Sequence, residues 1–550
     1  MVAEVGAVRK GTAIVGAIIA LSATRQAWAA PVDAGGEVVL PAATTGTPDD
    51  VSATSSAALG EEPAESSDSV AAEYVGPTLF SAAWTGVLGG DLAAEDPGED
   101  VLALRNRLDL EVHHPVRAGL SVRLAARLVH RAQVGHDGAV YRPAFRATGP
   151  DLGMRYDFDG QLRQAWLQSQ TAVGTVTVGR EIANWGVLEL QSPLRFLHPI
   201  DLSQGLIGSL GDAEVSPLVP SWMVRLQREL GPGQLDIVGL PFFEQHRYSP
   251  FATDAAMVRP GVGPELSGTL GALLRRLDLR LDRQLSEALM TALRPPSATP
   301  LDGSLAARWQ VHLASMEVAV VAAWAWDRLP ELHLDADLLM LLGRTLESGF
   351  DTSKLAANFA DPAFVAATER AKGKSLTDLA TARWHRRAIV GVAWQAEVGQ
   401  GWMAKAELAW SHHRVFMTTQ LQPLGSPLLQ TGFGLEKTWG DWLTVLAEAN
   451  WQFAYEVPRG QPLLLAARNQ WQVGGGLLAR VGDGQAWVAQ LGGFYGISLQ
   501  DWAIAPRLSW EFAEHWRTAL GAVVADGPAN SPAGFFGNDD QVLLELRRTF

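Results

Sequence analysis

The 550-residue chain has no cysteine, which excludes disulfide cross-links, thiolate metal sites and a cysteine nucleophile. Charged residues are scarce at 19%, below the quarter usual in soluble domains. Past the first 29 residues no apolar run reaches the ~18 residues a spanning helix needs, so transmembrane helices are excluded. The mean hydropathy of +0.05 is likewise too low for a polytopic helical protein. The net charge of −15 argues against nucleic acid as a partner. Tryptophan and glycine are plentiful, with 20 and 55 copies. A large soluble protein or a membrane β-barrel remains.

The N-terminus reads as an export signal. Arg9 and Lys10 precede an apolar stretch from Gly11 to Ala23, and Ala27-Trp28-Ala29 gives a small-x-small cleavage pattern. Residues 1–29 are therefore expected to be removed. Residues 30–75 hold nine acids and no base. They are rich in Ala, Ser, Thr, Pro and Gly, with too few large apolar groups to offset ordering entropy, so disorder is expected there. Residues 76–550 are expected to form the folded part.

In that part apolar and polar residues alternate over about ten positions at a time, the length of a tilted membrane-spanning strand. Leu104, Leu108, Leu110 and Val112 oppose Arg105, Arg107, Asp109 and Glu111. Val122, Leu124 and Leu128 alternate with Arg123, Arg127 and Arg131. Ala406, Leu408 and Trp410 oppose Lys405 and Glu407, and Ala447, Ala449 and Trp451 oppose Glu448. Tryptophans fall at strand ends (Trp84, Trp166, Trp309, Trp394, Trp442, Trp487, Trp516), as aromatic girdles at a bilayer surface require. Short turns such as 231–233, 398–401, 440–441 and 482–484 alternate with long connections at 132–160, 181–220, 241–303 and 327–383. The fold class is all-β: a transmembrane antiparallel β-barrel of about 16–18 strands with long, partly helical outer loops. An even count leaves both ends on one side, and a barrel this wide encloses water unless something fills it.

The inward face is expected to carry Arg105, Arg107, Asp109, Glu111, Arg123, Arg127, Arg131, Lys405, Glu407 and Glu448, together with Arg163, Arg225, Arg308 and Arg468. Most such charges solvate a wet wall, while the crowding of arginine makes the lumen attractive to anions. Leucines from Leu266 to Leu293, closed by Pro295-Pro296, repeat at helical spacing, and shorter helices are expected at 338–346 and 355–371. These segments are expected to cap the outer side, the alternative being a constriction inside the lumen. Asp335-Ala336-Asp337 stands at a helix start, where carboxylates serve as caps.

No nucleophile-elbow, zinc-binding or phosphate-loop pattern is present, and His113-His114 and His412-His413 would point to opposite faces of a strand. No enzyme activity and no cofactor are expected. The reading is a channel for passive or facilitated diffusion of small polar or anionic solutes. A plugged receptor, adhesin or structural barrel is the alternative, and an outer-membrane hydrolase ranks third. Oligomeric state is open.

Two segments carry resemblances. Phe550, with Val542, Leu544 and Leu546 on one face, resembles the C-terminal signal read by the Gram-negative barrel-insertion machinery, with Arg548 as a departure. Gly179-Arg180-Glu181-Ile182-Ala183-Asn184-Trp185-Gly186, followed by His198-Pro199-Ile200-Asp201, resembles the Gly-Arg-x-x-x-x-Trp-Gly strand end and (Asn/His)-Pro-x-Asp loop of porin-like outer-membrane barrels. That resemblance implies a Gram-negative outer-membrane location, lipid bilayer as surroundings, and transport more than any particular cargo. In these residues Gly186 would allow a bend, Trp185 would anchor at the membrane interface, and Arg180 with Asp201 would pin an inward loop.

Overall fold

The structure, a computed structural model, describes residues 77–91, 101–135, 154–201, 218–247, 303–347, 357–372, 374, 376–419, 422–528, 531–535 and 540–550. The expected export signal, the acidic segment and the leucine repeat at 264–294 lie outside the described residues.

In chain order the strands are β1 (Leu79–Asp91), β2 (Val101–Arg117), β3 (Leu120–Gly135), β4 (Met154–Thr171), β5 (Gly174–Glu181), β6 (Ser221–Leu230), β7 (Gly233–Leu240), β8 (Ser304–Leu313) and β9 (Met316–Trp326). A small separate hairpin follows, β10 (Glu331–Leu334) with β11 (Ala380–Arg383). The series resumes with β12 (Arg386–Glu397), β13 (Trp402–Met417), β14 (Pro423–Trp439), β15 (Leu443–Ala454), β16 (Asn469–Val481), β17 (Trp487–Gly496), β18 (Asp501–Ala513), β19 (Trp516–Asp526) and β20 (Gln541–Thr549). Among the described residues, all but β10 and β11 belong to one 18-stranded sheet. Each strand pairs antiparallel with its neighbours, and β9 pairs with β12 across the hairpin. The ring closes where β20 meets β1, from Ala83↔Thr549 to Asp91↔Gln541. Closure removes the sheet edges that lipid would leave without hydrogen-bond partners.

Tight turns join β2–β3, β4–β5, β6–β7 and β8–β9 at one end of the barrel, as do β12–β13, β14–β15, β16–β17 and β18–β19. At the other end most connections are longer, only β13–β14 and β17–β18 being short. In bacterial barrels the turn end is periplasmic and the loop end extracellular. Large apolar side chains are exposed on the outside at mid-strand positions, among them Leu124, Val320, Leu408, Leu491 and Leu520. At the turn end Trp487 stacks on Trp510 at 5.2 Å, and Trp402 meets Trp439 at 6.1 Å. Nearer the loop end Trp451 lies 5.8 Å from Trp471. These belts flank an apolar band, the pattern a bilayer demands. Arg468 departs from expectation: it precedes β16, and its guanidinium lies 4.9 Å over the outward Phe453 ring.

Within the connection from β9 to β12, α1 (Ala336–Glu347) and α2 (Pro362–Lys372) pack on each other through Leu341, Phe364, Ala367 and Ala371. Asp335 caps α1 by accepting the Asp337 amide at 3.0 Å. The expected cap is only part of the outcome. Leu332 of β10 and Ala380 of β11 join a buried cluster with wall residues Val87, Ala503, Val523 and Leu543, so this connection also reaches into the barrel.

Candidate functional site

The most elaborate inward feature is the chain from residue 182 to 201, between β5 and β6. Within β5, two residues before the strand ends, Gly179 has a φ of +144° and approaches Ala165 so closely that a Cβ would sit 2.1 Å from the Ala165 carbonyl oxygen. Instead of rising as an outer loop, the segment lies across the inner wall. Trp185 is 1% exposed and donates its indole N–H to Asp236 on β7 at 2.9 Å. It is therefore an anchor inside the barrel, not at the membrane surface, because a buried carboxylate satisfies its one polar atom. Arg225 binds the same Asp236 at 2.8 Å.

Beyond Trp185 the segment meets β14 at Leu188 and β16 at Leu190, then turns back to β12 at Leu194. The Glu407 carboxylate on β13 accepts the Leu188 amide at 2.9 Å, the Leu194 amide at 3.2 Å, the Ser192 hydroxyl at 2.6 Å and the Val187 amide. Glu448 on β15 accepts the Glu189 and Leu190 amides at 2.6 and 2.9 Å. These glutamates supply acceptors to a stretch of backbone that has no sheet partner of its own. Close approach is made possible by missing side chains. A Cβ on Gly391, Gly432 or Gly474 would come within 2.3–2.6 Å of Leu194, Leu188 or Leu190 respectively. Gly186 likewise faces Ser192, where a Cβ would lie 2.0 Å from the hydroxyl oxygen. The result is a buried apolar contact of Trp185, Leu194 and Phe196 with Met223, Val238, Val321, Ile389 and Ala393. Arg195 ties the bend by donating to the Glu189 carbonyl at 2.9 Å.

The ends of the segment are also fixed. His198 is 3% exposed and accepts the Ala183 amide at 2.8 Å. Burial, then the charges of Arg328 and Arg225, lower its pKa to about 3, which keeps the ring neutral and able to accept. The Pro199 carbonyl accepts the Val219 amide at 2.7 Å, and Ile200 donates to His246 at 2.9 Å. Arg180 departs from expectation. It forms a two-pronged pair with Glu244, at 3.0 and 3.3 Å, not with Asp201, which bridges to Arg247 through the backbone. Glu244 comes from a different connection, so no local spacing announces the pair.

The wall facing the segment is basic, since β14 lies half-way round the ring from β3. Arg105, Arg107, Arg123, Arg127 and Arg163 share the face opposite the lipid-facing leucines, and Arg507, Arg517 and Arg547 extend it across β18–β20. Carboxylates are interleaved: Asp109 binds Arg107 at 2.7 Å and Arg127 at 2.6 Å, Glu111 binds Arg123 at 2.7 Å, and Arg507 meets Glu545 at 2.9 Å. Arginines still outnumber carboxylates among these residues. The Arg131 side chain lies outside the described residues. Lys405 belongs to the other side, bridging Glu436 at 2.6 Å and Glu189 of the segment at 3.2 Å.

At the loop end, Glu331 contacts two imidazoles, with His385 at 2.5 Å and His333 at 3.1 Å, and the His413 ring lies 5.1 Å from that of His385. A register shift between Ser411 and Arg414 breaks the alternation that would have separated His412 from His413. Among the described residues no group of three or more ligand-type side chains is arranged to hold a metal ion. On the last strand, Leu544 and Leu546 are exposed outward with Val542 on the same face, and the Phe550 amide donates to the Ala82 carbonyl at 2.8 Å.

No family model and no curated protein matches the chain. Among solved structures it is similar to Pseudomonas aeruginosa OccK5 (OpdH), with 10% identity and a TM-score of 0.41 over 86% of this chain and 98% of that one. Acinetobacter baumannii OccAB1 aligns with 8% identity and a TM-score of 0.43, over 88% and 99% of the two chains. Salmonella typhi OmpF, in complex with daunomycin, aligns with 8% identity and a TM-score of 0.36, over 86% and 97%.

Proposed function

We propose that the chain is an outer-membrane channel of Gram-negative type, passing small polar and anionic solutes by diffusion between segment 187–195 and the arginine-bearing wall. The observation that carries this reading is the segment itself. Two buried glutamates, Glu407 and Glu448, hold it against one side of the lumen and leave the basic side facing it. A structural barrel has no need of a narrowed passage with opposed linings, whereas a selective channel does. Concentration gradients would drive the traffic and no cofactor enters it.

One observation favours a second reading, a plugged barrel serving as receptor or anchor. The apolar cluster that joins Leu332, Ile200 and Leu464 to wall residues Val87, Ala503 and Val523 crosses the loop-end half of the lumen. Single-channel current of the refolded protein in a planar bilayer, under a potassium chloride gradient, separates the two. Stable conductance with a reversal potential favouring chloride is the expected result. The Asp109→Asn variant, which frees Arg107 and Arg127 from their shared partner, should favour chloride further. A folded, inserted barrel without current sinks the channel and leaves the plug.

A further inference from the structure

On the loop-end side of Glu448 the inner wall changes character. Gln430 of β14, Asn450 and Gln452 of β15, and Gln470 and Gln472 of β16 stand together, and Gln191 of the inward segment completes the group around a small notch. Pairing register fixes the grouping: Gln430, Gln452 and Gln470 lie in one row across the strands, with Asn450 opposite Gln472 in the next. Below the notch lies the backbone of 189–191, held by Glu448. Above it, Leu428 and Ala454 are covered by Val457, Leu463 and Ala466.

Within this group one pair is satisfied internally: the Gln452 amide donates to the Gln470 carbonyl oxygen at 2.6 Å. The side chains of Gln191, Gln430, Asn450 and Gln472 make no hydrogen bond to any described residue. Asn450 is 7% exposed, yet its Oδ1 has no partner. Folded proteins leave few buried carboxamides unsatisfied, and each exception calls for an account such as a bound water or ligand. No formal charge lines the notch, so an ion finds no counter-charge in it. Carboxamides both donate and accept, which is what a hydroxyl also does. The enclosed part has room for one water-sized group, so it takes a hydroxyl of a solute whose body lies in the lumen.

We infer that this carboxamide notch is a binding subsite for the hydroxyl groups of uncharged polyhydroxylated solutes of mono- or disaccharide size, met on the way in just before the narrowed passage. The inference rests on the channel reading, which it deepens by naming a solute class that the arginine wall does not select.

The test uses two readouts on the full protein. In planar bilayers, sucrose should block the potassium chloride current saturably, whereas a methyl-capped polyethylene glycol of similar size, without hydroxyl donors, should not. In detergent, saturation-transfer NMR should detect sucrose contact independently of conduction. The variant Gln430→Met/Asn450→Leu/Gln472→Met keeps side-chain volume and removes the amides. It should raise the half-saturating sucrose concentration about tenfold in both readouts, as expected for the loss of one to a few neutral hydrogen bonds. Gln472→Met alone, which removes a single amide, gives a smaller shift in the same direction if the triple variant fails to assemble, as judged by circular dichroism. A conducting barrel in which sucrose acts equally on both proteins, or on neither, overturns the notch. Sucrose contact that the triple variant loses, in a barrel without current, upholds the notch and overturns the channel.

Discussion

At the residue scale the decisive groups are two glutamates that alternation marks only as inward-facing. Glu407 and Glu448 look like ordinary wetting charges in sequence, because the donors they serve lie more than 200 positions away in the chain. Nothing local signals that a backbone stretch will arrive to use them. Trp185 and Gly186 were visible as a motif, but their roles depended on Asp236 and Ser192, which only the folded chain brings near. Replacing Glu407 by Gln exposes the logic. A carboxylate offers two acceptor oxygens to Leu188, Leu194, Val187 and Ser192, whereas a carboxamide offers one and turns an N–H pair toward donors. The Glu407→Gln protein should lose about 1–3 kcal/mol, the cost of leaving buried donors unmet. Its melting temperature should fall, and trypsin should cut at Arg195 at concentrations that spare the parent. Unchanged melting and unchanged protection would show that the segment is held by its apolar contacts alone.

At the element scale the strands were legible because two-residue alternation is a strong local signal. The alternating runs at 104–112, 122–131, 405–410 and 447–451 fall within β2, β3, β13 and β15, and the Asp335 cap of α1 was equally local. The β10–β11 hairpin was not legible, since Glu331–Leu334 and Ala380–Arg383 are four-residue strands with three helices among the described residues between them and no turn sequence joining them. The inward course of 182–201 was hidden for a related reason: inward and outward connections share the same composition. One of its supports is sensitive to acid. The His198 ring accepts the Ala183 amide only when neutral, and burial has lowered its pKa to about 3. The unfolded chain binds that proton near pH ~6.5 while the folded one does not. This contribution to stability is therefore complete above about pH 6.5 and shrinks as pH falls toward 3. Hydrogen exchange at the Ala183 amide should quicken over that window relative to amides in mid-strand. His198→Gln keeps an acceptor that does not titrate and should flatten the dependence; an equally steep profile in that variant would assign the effect to other groups.

At the scale of the whole molecule the strands invert the usual arrangement of a globular protein, placing most of their large aliphatic side chains outward and most of their charges inward. That inversion follows from the surroundings, because lipid offers no hydrogen bonds and water in the lumen does. An even strand count and closure of the ring followed from the same alternation, since an open sheet would leave unpaired backbone in hydrocarbon. What fills the ring did not follow, because alternation describes the wall and not the connections that fold back on it. The two faces of one strand then make a paired test. On β12, Val392 is exposed outward near mid-height, while Gln395 faces inward beside Glu317. Val392→Arg should cost about 2–4 kcal/mol when the protein is folded into phospholipid vesicles, because the guanidinium must sit near the bilayer midplane. Gln395→Arg carries the same charge into water, between the Glu317 carboxylate and the Lys405 ammonium on the neighbouring strands, and should cost less than about 1 kcal/mol. Folding yields and urea midpoints in vesicles measure the difference directly. Comparable losses at both positions would mean that the outward face does not meet lipid, and the membrane orientation of the entire ring would have to be abandoned.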